Sequence, residues 1–212
     1  MKKVWYSCSY QFASSEVRED KMEKIYYYDN YKTEITLDDW AESPRDWDNL
    51  GTMLTWQRGY SSPDTNEFAT PDAFIEWWNE NCGVNGIILP VYCLEHGNIS
   101  YSTSNYGDKW DSGQVGFIYV TSEDFAKEGV MLADAIKILE NEVKTYSYYA
   151  NGDVYSINTS IKIVCDSCKH VEWEYVDGCG GYYGGFDLED LPEAIREEAQ
   201  KDFHITSRGV RV

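Results

Sequence analysis

The chain has 212 residues, and 18 Lys+Arg against 37 Asp+Glu leave a formal charge of −19 at pH 7. So acidic a surface repels phosphate, which excludes binding of DNA or RNA through a basic face and disfavours anionic membrane surfaces. No run of 18 apolar residues occurs, and Met1-Lys2-Lys3-Val4-Trp5-Tyr6-Ser7 meets Gln11, Ser14, Ser15 and Glu16 too early for a signal peptide, so a soluble cytoplasmic protein is expected.

At 42% hydrophobic and 26% charged residues the composition is that of a globular chain. The aromatic content is high, with 18 Tyr, 8 Trp and 7 Phe. Most of these are expected to stiffen a β-rich core; Tyr and Trp left outside among acidic residues would instead form a recognition surface. The cysteines are Cys8, Cys82, Cys93, Cys165, Cys168 and Cys179, and without a secretion signal free thiols are expected.

In chain order, aromatic and polar residues alternate over Val4–Phe12, and Glu16–Lys24 is charged. Ile25–Tyr31 reads as a strand with Glu34–Leu37 as its partner. Ser43–Met53, punctuated by Pro44 and Gly51, reads as an ordered loop leading into a short helix. Thr70-Pro71-Asp72 is a helix start, with Phe74, Trp77 and Trp78 on one face and Gly83 as the stop. Ile87–Leu94 is a strand whose Pro90 implies an edge or a bulge, and Ile99–Thr103 is its return. Gln114–Val120 reads as a buried strand. Thr121-Ser122-Glu123-Asp124 then opens the main helix, with Leu132, Ile136, Leu139, Val143 and Tyr146 at helical spacing.

After the turn at Asn151-Gly152, Val154–Val164 and Val171–Val176 form an antiparallel pair around Cys165-Asp166-Ser167-Cys168. Gly178–Gly185 reads as flexible. A last helix begins near Asp187, with Leu188, Leu191, Ile195, Ala199 and Phe203 on one face. The expected fold is α+β: a mostly antiparallel sheet with one main helix packed on it and a C-terminal helix. Residues 1–186 form the single domain and 187–212 a helical appendage.

Cys165, Cys168, His170 and Cys179 supply enough donors for a zinc site, although one Cys-x-x-Cys pair is half of the usual arrangement. No metal or cofactor is expected beyond that weak alternative. A redox role for the pair asks for helix N-terminal amides to lower a thiol pKa, which a hairpin does not offer. No nucleophile elbow frames Ser102, Ser112 or Cys93 for His96, and no phosphate-binding loop is present. The carboxylates of Asp38, Asp39, Glu42, Asp46 and Asp48 crowd into one stretch without the spacing of a calcium loop. They suit a solvated loop, a cation site or an imitation of phosphate spacing.

Three stretches occur together: Ser43-Pro44-Arg45-Asp46-Trp47-Asp48-Asn49-Leu50-Gly51-Thr52-Met53; Ile88–Tyr92 with Trp110-Asp111-Ser112-Gly113-Gln114 running on to Val120; and Glu142-Val143, Tyr146, Tyr149 and Gly152–Tyr155. The combination resembles a family of small proteins of unassigned function encoded by phages and mobile elements of Gram-positive and gut bacteria. The similarity covers residues 40–160. The segment between Asp166-Ser167-Cys168 and Gly181-Tyr182-Tyr183-Gly184 is longer than in that family, and so is the N-terminal part.

The resemblance implies an accessory protein acting in the bacterial cytoplasm as an inhibitor of host defence, of anti-CRISPR or antirestriction type, rather than an enzyme. Its partner would be a defence protein with a basic nucleic-acid cleft, met by Asp38, Asp39, Glu42, Asp46 and Asp48 as charge mimics and by Trp47 and Trp110 as anchors. The alternative is a sponge for a small nucleotide signal, with Trp47, Asp48, Asn49, Trp110, Asp111, Ser112 and Gln114 lining one pocket. A metal-dependent phosphodiesterase built on the same carboxylates is a third reading.

Overall fold

The structure, a computed structural model, describes residues 24–83, 86–186, 188–193 and 195–196. Among the described residues the strands and α-helices are β1 (Lys24–Tyr28), β2 (Tyr31–Leu37), β3 (Thr52–Thr55), α1 (Pro71–Asn81), β4 (Ile87–Glu95), β5 (Ile99–Ser102), β6 (Ser112–Val120), α2 (Ser122–Lys127), α3 (Leu132–Ala150), β7 (Val154–Val164) and β8 (Val171–Tyr183). The class is α+β, and every strand pair is antiparallel. The strands form two sheets rather than the single one expected, in the orders β1-β2-β7-β8 and β3-β6-β4-β5.

The second sheet is the middle layer of three, and strand alternation puts it there. Met53, Ile118 and Val120 face Ala135, Leu139 and Val143 of α3. Their neighbours Leu54, Phe117 and Tyr119 face α1, where Phe74 is fully buried among Trp56, Phe68, Trp77 and Trp78. Ring centroids in this cluster lie 5.1–6.3 Å from that of Phe74. Much of the aromatic surplus is therefore core. Helix α1 starts as predicted, with the Thr70 hydroxyl accepting from the Ala73 amide at 3.2 Å and Pro71 in the first turn. Pro90 sits where β4 pairs with β6 but not yet with β5, next to a bulge at Val91/Tyr92.

Four predicted elements change. Ser43–Met53 leads into strand β3, not a helix; its helical part is the 3-10 turn Pro44–Asp46, capped by the Ser43 hydroxyl. The main helix is broken into α2 and α3 by Gly129 at φ +65°, and Leu132, the first residue of α3, is 58% exposed. The glycine run from Gly178 is not flexible but the second half of β8, paired with β7 as far as Val154↔Tyr183. Gly180 leaves room for the Asp38 carboxylate, whose Oδ2 a Cβ there would meet.

The helix start expected near Asp187 falls on a residue outside the described ones. Leu188–Asp190 is a 3-10 turn, and Ile195 and Arg196 then bond back to the Pro192 carbonyl. Leu191 and Ile195 are packed with Phe186 against Tyr26, Ile35, Tyr155 and Ile157 on the first sheet. Ala199 and Phe203 lie outside the described residues. Among the described residues no helix is long and apolar enough to cross a membrane.

Candidate functional site

The segment 38–53 crosses from the first sheet to the second, and its inner side is fixed by one buried cation. Arg45 donates through Nε and Nη2 to both carboxylate oxygens of Asp64, at 3.0 and 2.7 Å, through Nη1 to Glu142 Oε2 of α3 at 3.0 Å, and through Nη2 to the Gly51 carbonyl at 2.5 Å. Its side chain is 3% exposed. The two carboxylates also collect amides: Glu142 accepts from Leu50 at 2.8 Å and from Gly51, and Asp64 accepts from Met53 at 2.6 Å. Burial opposes the Arg45 charge, but the bonds and charges of Asp64 and Glu142 outweigh it and raise its pKa. Burial is also the strongest influence on Glu142 and lifts its carboxyl above the ordinary range, against the pull of Arg45 and the two amides.

The outer side carries the predicted acid. Asp39, Glu42, Asp46 and Asp48 are exposed. Asp38 is different: its carboxylate accepts the Trp40 amide at 3.1 Å and the Gly181 amide at 2.9 Å, tying the loop to β8. The Tyr183 hydroxyl donates to the Glu42 carbonyl at 2.5 Å, and its ring meets Trp47 edge-on at 5.0 Å. The Asn49 side chain donates to the Pro44 and Trp47 carbonyls, so Asn49 shapes the loop from within. Trp47 is 46% exposed, and Trp40, unforeseen as an anchor, is 92% exposed. The available signal for Trp40 was its position between carboxylates and outside any apolar periodicity. Asp64, nineteen residues from Arg45, had none.

Trp110, Asp111, Ser112 and Gln114 form a separate group. The Asp108 carboxylate accepts the Trp110 and Asp111 amides, which lowers its pKa, and the Ser112 hydroxyl donates to the Asp108 carbonyl. Asp111 holds His96 Nδ1 at 2.6 Å, and Trp110 stands out at 94% exposure. Thr52 pairs with Tyr119 near one end of β6, while Ser112 is its other end, so about 24 Å of strand separates them at 3.4 Å per residue. The cavity beside Trp47 and Asn49 is walled by α3, and contains none of residues 110–114. The single pocket expected to unite Trp47, Asp48 and Asn49 with Trp110, Asp111, Ser112 and Gln114 is therefore not formed.

Gln114 instead borders a cavity of about 510 Å³ with Trp56, Gln57, Arg58, Gly116 and Phe117. The Trp56 indole is fixed by its bond to the Phe68 carbonyl at 2.9 Å, and Arg58 is exposed at the rim.

The zinc alternative loses a ligand. Cys165 and Cys168 are at the hairpin tip with His170, whereas Cys179 pairs opposite Ile157, about 27 Å down β8 from Val171. Among the described residues no three His, Cys, Asp or Glu side chains gather as a metal site, and this includes the carboxylates of 38–48. His96 engages no nucleophile: Ser112 donates elsewhere, the Ser102 oxygen accepts the Ser104 amide, and Cys93 is buried beside Gln57.

Comparison with known proteins finds no matching family model, no matching curated protein and no matching solved structure.

Proposed function

We propose that this chain is a binding protein that inhibits a host defence component of anti-CRISPR or antirestriction type by occupying its basic nucleic-acid cleft. One observation carries the reading. The 38–49 loop turns its sole cation inward, leaving Asp39, Glu42, Asp46 and Asp48 exposed around Trp40 and Trp47 on a backbone fixed from three sides. Exposed carboxylates steer the encounter with a basic groove, while tryptophans on an ordered loop add desolvated contact without the entropy of folding a flexible one. The host-defence setting rests on the resemblance of the sequence motifs to phage and mobile-element proteins. Trp110 and Asp111 form a second contact of the same chemistry for a partner wide enough to reach both ends of β6.

The test is binding to purified restriction and CRISPR nucleases at rising salt, compared with the Asp39→Asn, Glu42→Gln, Asp46→Asn, Asp48→Asn quadruple variant. Affinity should fall with salt, and the variant should bind about tenfold or more weakly. Affinity indifferent to both salt and charge removal sinks the mimic.

Capture of a small nucleotide is favoured by one separate observation, the cavity where Trp56 and Phe117 meet Arg58, Gln57 and Gln114. Aromatic walls, amides and one cation suit a base and a phosphate, and the volume is within the usual range of small-molecule sites. Cyclic nucleotides and NAD derivatives would then raise the melting temperature, and Arg58→Ala would abolish that shift.

A further inference from the structure

The second sheet closes both of its edges with the chain's own groups. Along β3 the Met53 amide donates to the Asp64 carboxylate at 2.6 Å and the Thr55 amide to the Ser62 hydroxyl at 3.1 Å. Along β5 the Ile99 amide donates to Asn151 Oδ1 at 3.3 Å and the Tyr101 amide to the Ser147 hydroxyl at 2.8 Å. The first sheet has no such cover over residues 171–175 of β8, its outermost strand on that side among the described residues.

Which backbone groups face outward follows from the phase of the ladder. The Lys162 amide donates to the Asn30 carbonyl at 2.7 Å, toward the β1–β2 turn. Lys162 stands opposite Trp173, and opposite residues of an antiparallel pair alternate between exchanging two bonds and exchanging none. Trp173 therefore turns its N–H and C=O away from β7. The bond from the Cys165 amide to the His170 carbonyl, 2.9 Å, has the same phase. The register is unbroken from Val164↔Val171 to Ser160↔Tyr175, so Val171 and Tyr175 point their backbone outward too. Three donors and three acceptors line an open edge, the arrangement that templates an added strand. The Trp173 ring lies 5.9 Å from that of Tyr27, with the Lys32 amino group 5.4 Å over it, which holds this stretch of the ribbon to the sheet.

Side chains select what fits. Strand alternation puts Val171, Trp173 and Tyr175 on one face and Glu172 and Glu174 on the other. Val171 and Tyr175 are 41% and 63% exposed, and both glutamates are exposed with no ion-pair partner among the described residues. On an added strand, the residues opposite Glu172 and Glu174 form the non-hydrogen-bonded pairs, where side chains approach most closely. A second copy pairing antiparallel about Trp173 would set Glu172 of each chain against Glu174 of the other, and like charges directly opposite destabilise a sheet. Each chain also carries a formal −19. A strand with Lys or Arg at those two positions gains both charge pairs instead. We propose that the 171–175 edge of β8 binds an extended segment of another protein in which Lys or Arg alternates with apolar residues, as an added antiparallel strand of the first sheet. This surface is separate from the 38–49 loop and requires no nucleic-acid cleft.

The isotope-labelled full chain is titrated with a short peptide alternating lysine with valine, and amide hydrogen exchange is followed residue by residue. The expected result is slowed exchange at Val171, Trp173 and Tyr175 with Glu172 and Glu174 nearly unchanged, since only the first three amides gain a bond. A peptide of the same composition, with its lysines and valines in separate blocks, should bind several-fold more weakly. Glu172→Lys combined with Glu174→Lys should weaken binding of the alternating lysine peptide about tenfold or more, and should bind a peptide alternating glutamate with valine. The Asp39→Asn, Glu42→Gln, Asp46→Asn, Asp48→Asn variant should bind the lysine peptide as the parent does, so this result stands or falls apart from nuclease binding. Absence of binding, binding without protection of alternate amides, or equal binding of the blocked peptide would overturn the proposal. So would protection of the same three amides by a second copy of the chain alone.

Discussion

Arg45 and Asp64 meet fork to fork, with Nε on Oδ1 at 3.0 Å and Nη2 on Oδ2 at 2.7 Å, and Glu142 closes the third side of the same guanidinium. The most distinctive motif of the sequence thus spends its only cation on holding itself against α3. Arg45→Met leaves two buried carboxylates uncompensated, and loss of one member of such a group costs about 3–5 kcal/mol. Urea unfolding at pH 7 should show that loss. Arg45→Lys should recover only part of it, since a single ammonium cannot reproduce the two-pronged contact.

Glu142 gives a pH signature. Folding raises its carboxyl above the reference 4.5, so the folded chain holds this proton more tightly than the unfolded chain does. Its contribution to stability is then greatest below 4.5 and is lost as pH rises through the higher folded value. Glu142→Gln mimics the protonated state at every pH. The variant should therefore gain on the parent between pH 4 and pH 7 in denaturant midpoint. A constant difference across that range would show that Glu142 titrates normally.

Asp38 acts as a clamp between the loop and β8. Gly180→Ala places a methyl group against Asp38 Oδ2, so that oxygen must withdraw from the Gly181 amide. One such bond is worth about 0.5–1.5 kcal/mol, and a loss of that size is expected. Hydrogen exchange at the Gly181 amide should accelerate, while the Trp40 amide, held by Oδ1, should change less.

Trp40 separates binding from folding. With 92% of its surface exposed it contributes little to the core, and Trp40→Ala should change stability by no more than about 0.5 kcal/mol. The same variant should weaken binding to a basic partner. Trp47→Ala removes the edge-on contact with Tyr183 as well, and should affect both.

The elements most legible in the sequence are those with local causes. Thr70-Pro71 starts α1, Gln114–Val120 is buried, and Asn151-Gly152 turns the chain into β7. The division into two sheets was not legible, because it rests on pairings between strands far apart in the chain, β2 with β7 and β3 with β6. Gly178–Gly185 misled because open sequence reads as mobility, whereas the absent side chains make room for Asn158 and Asp38. The acidic character of 38–48 was legible residue by residue. That Asp38 and Asn49 face inward while Trp40 stands clear was not, since facing is decided by partners on β8 and in the 3-10 turn.

A loop anchored wholly from beneath has two independent sides. The inward bonds of Asp38, Ser43, Arg45 and Asn49 set its shape, while Asp39, Trp40, Glu42, Asp46 and Asp48 are exposed to solvent. Lineages pressed to follow a changing target can rewrite the second set one residue at a time while the first stays constant. The expected mark of such a history is fixed and fast-changing positions interleaved within a single dozen residues.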